Sequence, residues 1–133
     1  MTTRTKPRPT RKPATGADTC EVPCFKEELV EDIRGWLPAD AGIKKVATLH
    51  GVLADPTRLK VLMALSRDEL CVCDVSHVLG LSVSATSHQL RVLRNMGVVS
   101  SRNDGRMVYY SLPEDSQVRP WVDQALAAQG KPL

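Results

Sequence analysis

The residues of this chain best suited to chemistry are its four cysteines, which fall in two close pairs, Cys20 with Cys24 and Cys71 with Cys73. A thiolate is both a nucleophile and a soft metal ligand. Close pairing therefore points to a metal-binding or redox role, because unrelated buried cysteines have no reason to pair. A disulfide framework is the remaining reading, but it normally accompanies a secretory signal and a core too small to fold unaided. Here no apolar run follows the basic N-terminal residues, as a signal would require. No stretch approaches the roughly 18 consecutive apolar residues of a membrane span. The expectation is a cytoplasmic chain with no membrane partner. Enzyme chemistry has little support, since no glycine-rich phosphate loop and no carboxylate pair stand out.

A small body must position these thiols. The chain has 133 residues, of which 42% are hydrophobic, so it is long enough for one domain with a packed core. Aromatic residues make up only 4%, so that core must be built from Leu, Val, Ala and Met. The formal net charge of +3 is unevenly spread. Residues 1–17 carry Arg4, Lys6, Arg8, Arg11 and Lys12 and no acid, whereas residues 18–41 carry seven acids against Lys26 and Arg34. A local excess of +3 lies over residues 84–106. With Pro7, Pro9 and Pro13 among Thr, Arg and Lys, residues 1–18 are expected to form a disordered basic tail. Such a tail can supply only salt-sensitive, non-specific attraction to a polyanion, which by itself is weak evidence for a nucleic-acid partner. Residues 19–133 are expected to fold as one domain.

Helical periodicity begins at Phe25, with Leu29, Ile33 and Trp36 at spacings of four and three. After Pro38 and Gly42, a second helix carries Ile43, Val46, Leu49, Val52 and Leu53. Asp55 is the natural N-cap of a third, with Pro56 in its first turn; Leu59, Leu62, Met63 and, less regularly, Leu65 are its expected buried side. Val72, Val75, Val78 and Leu79 then form a short helix ending at Gly80. Ser82 caps the next, which runs to about Met96. On that helix Thr86, Leu90 and Leu93 share one side, and Ser84, Ser87, His88, Arg91, Arg94 and Asn95 take the other. Two helices joined by a glycine turn, the second with a polar and basic face, make a helix-turn-helix.

Gly97 ends that helix, and β-prone runs flank Asp104-Gly105. Asp-Gly is a strong two-residue hairpin signal. It would set Arg102 opposite Met107 and Asn103 opposite Arg106, with Arg102 and Arg106 projecting from the tip. A basic-tipped hairpin after a helix-turn-helix is a winged helix, so the fold class is mainly α with a β-hairpin. The tip can reach phosphates or a minor groove while the helix enters the major groove. A last helix follows Pro113 with Val118, Trp121, Val122, Ala125 and Leu126. One small core has little need of both this helix and the first, so the two are expected to form a homodimer interface.

Several of these segments resemble a known family. Glu69-Leu70-Cys71-Val72-Cys73-Asp74-Val75 resembles the metal-sensing segment of the ArsR/SmtB repressors. The run from Ser87 to Val99 resembles their recognition helix and the start of their wing, and Gly105 to Leu112 resembles the second wing strand. Ala54-Asp55-Pro56-Thr57-Arg58 resembles the family's helix start. The likeness covers roughly residues 43–112. Within the family it points to the cadmium- and lead-sensing CadC branch, whose members carry Cys-x-x-x-Cys in an N-terminal extension; Cys20-Glu21-Val22-Pro23-Cys24 fits that pattern.

The resemblance implies a homodimeric repressor that leaves its operator DNA when a heavy-metal ion binds. It implies Cys20 and Cys24 of one subunit joined with Cys71 and Cys73 of the other, giving two sites per dimer. The chemistry agrees: four thiolates make a soft, roughly tetrahedral cage for Cd(II), Pb(II) or Zn(II), and the lack of oxygen or imidazole ligands favours the first two. Cys71 and Cys73 stand at a helix start, where free amides and the dipole favour thiolates. Ser84, Ser87, His88 and Gln89 are the candidates for base edges, and Arg91, Arg94, Arg102 and Arg106 for phosphates. Many relatives carry a zinc-type site on the last helix; here that helix region has Glu114, Asp115 and Asp123 but no histidine, so no such site is expected. The alternatives are an arsenic(III) or thiol-redox sensor of the same fold and, in another class, a zinc-stapled interaction module that binds no DNA.

Overall fold

Asp55 shows how closely local chemistry dictates this fold. Its carboxylate accepts from the Arg58 amide at 2.9 Å, and Pro56 occupies the first turn, where no amide is needed. The computed structural model describes residues 19–22 and 24–131, so the tail expected over residues 1–18 lies outside the described residues. The chain divides into two compact units, Met1–Pro38 and Ala39–Leu133.

Among the described residues, the first unit holds helix α1 (Glu27–Trp36), with Glu27 and Glu28 in its first turn and Arg34 in its last, as the helix dipole favours. Its apolar residues Leu29, Ile33 and Trp36 follow the expected spacing, yet none is buried.

The second unit runs α2 (Asp40–Leu53), α3 (Pro56–Arg67), β1 (Leu70–Cys71), α4 (Val72–Leu79), α5 (Val83–Asn95), β2 (Ser100–Asp104), β3 (Met107–Ser111) and α6 (Arg119–Ala128). Its core is aliphatic, as the composition requires: Val52, Val61, Leu62, Leu65, Val75, Leu90, Leu93, Val98, Val118 and Val122 are almost wholly enclosed, and Tyr110 is its one buried aromatic ring. Helix α3 lies at the centre, packed by α2, α4 and α6. That position corrects its expected buried side. Val61 joins Leu62 and Leu65 in the core, while Leu59 and Met63 are only half-buried, because neighbours on several sides leave no single narrow stripe.

Helix α4 buries Val75 and Ser76, and Val78, expected inside, is 63% exposed on its rim. Gly80 then turns the chain at φ +66°, a conformation that a side chain would resist. Ser76 ties the turn down: its hydroxyl donates to the Leu81 carbonyl at 2.6 Å, and its own carbonyl accepts from the Leu81 amide at 3.1 Å. Ser82 caps α5 by accepting from the Ala85 amide at 3.1 Å.

The sheet differs from expectation in two ways. The hairpin pairs Asp104 with Met107, Asn103 with Val108 and Arg102 with Tyr109. The central turn residues are therefore Gly105 and Arg106, not Asp104 and Gly105. Only Gly105 takes a positive φ, +61°, which matches a turn with glycine first and spares Asp104 that conformation. A third strand is also present. β1 pairs antiparallel with β3, Leu70 with Tyr110 and Cys71 with Tyr109, giving the order β1-β3-β2.

Helix α6 corrects the argument made from core size. It packs on α3 in its own chain and encloses Val118 and Val122 completely. Arg119 pins it there, donating to the carbonyls of Leu112 (2.9 Å) and Ser66 (3.3 Å) and lying 3.5 Å from Asp123. The core of one chain does need this helix.

Candidate nucleic-acid interface and thiol site

A helix can read DNA only if its far side is anchored. On α5 that anchor is Thr86, Leu90 and Leu93, all with no exposed surface. The buried Thr86 hydroxyl is satisfied by the Ser82 carbonyl at 2.8 Å. The 3.6-residue period then turns Ser84, His88, Arg91, Arg94 and Asn95 outward, all exposed, with Ser87 half-buried beside them. Gln89 is also half-buried, and its side-chain carbonyl accepts from Arg58 Nε at 3.3 Å. The sequence gives no sign of this Arg58–Gln89 contact, because no local pattern couples residues 31 positions apart.

The wing carries its two arginines differently. Arg106 occupies the turn itself and makes no ion pair among the described residues. Arg102 is engaged. Its Nε lies 3.0 Å from both Glu69 carboxylate oxygens, its Nη2 2.6 Å from Glu69 Oε1, and its guanidinium carbon 4.6 Å from the centre of the Tyr109 ring. The Arg102 hydrogen bond holds the Glu69 carboxyl below its ordinary range, and Glu69 in turn raises Arg102.

The thiols are spread over both units. Cys71 is the N-cap of α4 and is only 5% exposed, while Cys73, in the first turn, is exposed. The Asp74 carboxylate reaches back to the Cys71 amide at 3.2 Å, fixing the β1–α4 junction. Cys20 and Cys24 are exposed, ahead of α1. Among the described residues, no three His, Cys, Asp or Glu side chains are gathered so as to hold a metal ion. The donor set itself suits a soft ion: four free thiols, three of them open to solvent.

The glycine turn, the anchored polar helix and the adjoining wing define a winged helix-turn-helix, a build used by DNA-binding transcriptional regulators. Residues 55–101 match the family profile described as "Bacterial regulatory protein, arsR family". The chain is 41% identical over 96 residues to a transcriptional repressor SmtB homolog of Synechocystis, covering 72% of this chain and 73% of that one. It is 38% identical over 117 residues to a cadmium resistance transcriptional regulatory protein CadC homolog of Staphylococcus aureus, covering 84% and 92%. Among solved structures, a homodimeric winged helix-turn-helix DNA-binding domain from Mycobacterium bovis, titled a possible ArsR-family regulator, superposes with a TM-score of 0.60 at 26% identity, over 70% of this chain and 88% of that one. The chain belongs to the arsR family of bacterial regulatory proteins.

Proposed function

We propose that this chain is a metal-responsive transcriptional repressor. As a metal-free homodimer it binds an inverted-repeat operator, and it dissociates when Cd(II) or Pb(II) binds, with Zn(II) a further candidate, so that metal-resistance genes such as an efflux transporter are expressed. Two recognition helices in a dimer lie about one DNA turn apart, which calls for two half-sites. Ser84, Ser87, His88 and Gln89 face base edges in this reading, and Arg91, Arg94, Arg102 and Arg106 face phosphates. The exposed apolar residues Leu29, Ile33 and Trp36 of α1 support its use as a dimer surface, together with the face of α6 turned away from α3.

Cys20 and Cys24 of one subunit and Cys71 and Cys73 of the other would hold the ion. A soft ion held there would supply strong thiolate bonds to these four residues. One observation carries the switch: Cys71 lies on β1, whose neighbour in the sheet is β3, a strand of the wing. Any displacement of Cys71 therefore acts directly on the hairpin through the Cys71–Tyr109 pair. The same residue caps α4, the first helix of the helix-turn-helix. Ligation would thus be felt by the wing and by the helix that precedes the recognition helix α5.

The test is a gel shift on an inverted repeat upstream of the chain's own gene, with Cd(II), Pb(II), Zn(II) and As(III) added separately. The expected result is a retarded band lost with Cd(II) or Pb(II), with intense ultraviolet thiolate-to-metal absorption on titration. Loss with As(III) alone would transfer the reading to an arsenic sensor. Loss on mild oxidation without metal would make it a redox sensor. A chain that never retards duplex DNA would be an interaction module.

A further inference from the structure

We propose that Glu69 competes with DNA phosphate for Arg102 and so sets how strongly the wing grips DNA. Glu69 is in this sense a positioning residue, and the proposal rests on the DNA-binding reading above. Glu69 sits just ahead of β1, and β3 lies between β1 and β2 in the sheet. The Glu69–Arg102 pair therefore spans the width of the wing, crossing Tyr109, on whose ring the guanidinium rests. It is the one ion pair among the described residues that joins distant parts of the chain.

The contact is a fork: Nε and Nη2 of Arg102 both meet the carboxylate. Arginine presents the same fork to a phosphate, which offers a similar pair of anionic oxygens. Asp104 Oδ2 stands a further 3.9 Å from Nη1. With carboxylates at two edges and a ring beneath, the Arg102 charge is answered within the protein. Arg106, four residues on, has no such partner among the described residues. Both Arg102 and Glu69 keep solvent access, at 53% and 36% of their side chains, so a phosphate can reach the guanidinium. Exposed ion pairs are weak enough to exchange partners. DNA binding then requires Arg102 to leave Glu69, whose position two residues before Cys71 ties that exchange to the thiol strand.

A double-mutant cycle tests the exchange. Binding to a short duplex carrying the inverted repeat is measured by fluorescence anisotropy at low salt for the full-length wild type, Glu69→Gln, Arg102→Ala and the double variant. Both side chains are on the surface, and equal thermal midpoints would verify that all four proteins fold. Glu69→Gln is expected to tighten binding about two- to fivefold and to have no effect once Arg102 is alanine. Arg102→Ala alone is expected to weaken binding and to lower the salt slope by about one. Equal tightening by Glu69→Gln in both backgrounds would mean simple removal of a negative charge near DNA, and would overturn the proposal. Unchanged or weaker binding by Glu69→Gln would overturn it as well. A wild type that binds no duplex at any salt concentration would instead remove the DNA-binding reading itself.

Discussion

A Leu90→Ala protein is expected to lose about 2–5 kcal/mol of stability. Leu90 is completely buried and lies on the inner face of α5, between the anchors Thr86 and Leu93. Around it the core is drawn from α2, α3, α4, the wing and α6. No single neighbour can move in to fill the space, so the cavity term adds to the lost transfer energy. A domain of this size has only about 5–15 kcal/mol in all. The recognition helix is also the element that loosens, so duplex binding should fall with stability. Urea unfolding followed by circular dichroism measures the effect. Val78→Ala is the matched control, since that side chain is 63% exposed and its removal should leave the midpoint nearly unchanged. A loss below about 1 kcal/mol for Leu90→Ala, typical of peripheral sites, would mean that α5 is not held through this residue.

The second large effect concerns the switch. A Cys73→Ser protein is expected to bind operator DNA as the wild type does and to stay bound in saturating Cd(II). Allosteric couplings are about 1–3 kcal/mol, or roughly 5–150-fold in affinity, and the substitution should abolish most of that change. Cys73 is the better choice because it is exposed, whereas Cys71 is buried against β3. Serine at position 71 would disturb the sheet as well as the donor set, and a lost response there would be ambiguous. Full release of Cys73→Ser by Cd(II), measured by anisotropy, would remove Cys73 from the ligand set.

What was legible in the sequence was local. The Asp55-Pro56 cap, Gly80 between α4 and α5, the Ser82 cap and the Thr86–Leu90–Leu93 stripe each depend on residues within a turn or two, and each is found as read. The misreadings are non-local. Strand β1 is only two residues long and exists because Tyr109 and Tyr110 pair with it from almost forty positions away. The hairpin turn lay one residue later than expected, since Asp104-Gly105 and Gly105-Arg106 both contain the glycine that a tight turn needs and only strand pairing decides between them. Val61 joined the core because α3 is contacted from several sides.

The candidate site divides in the same way. Residue type and spacing picked out the four cysteines and the polar face of α5. Nothing in the sequence revealed that Arg102, expected to project from the hairpin tip, is held by Glu69 at a separation of 33 residues. Nor could spacing tell that Cys71 would be buried and Cys73 exposed. That difference follows from Cys71 pairing with β3 while the chain turns into α4.

The central claim is that thiol ligation and DNA binding are coupled through the junction of β1 and α4. Thermodynamic linkage makes this testable from the metal's side. The Cd(II) affinity of the protein, followed by thiolate-to-metal absorption under a competing chelator, should be measured free and when saturated with operator duplex. The account predicts that Cd(II) binds the DNA-bound protein about 5–150-fold more weakly than the free protein. Equal affinities in the two states would contradict it.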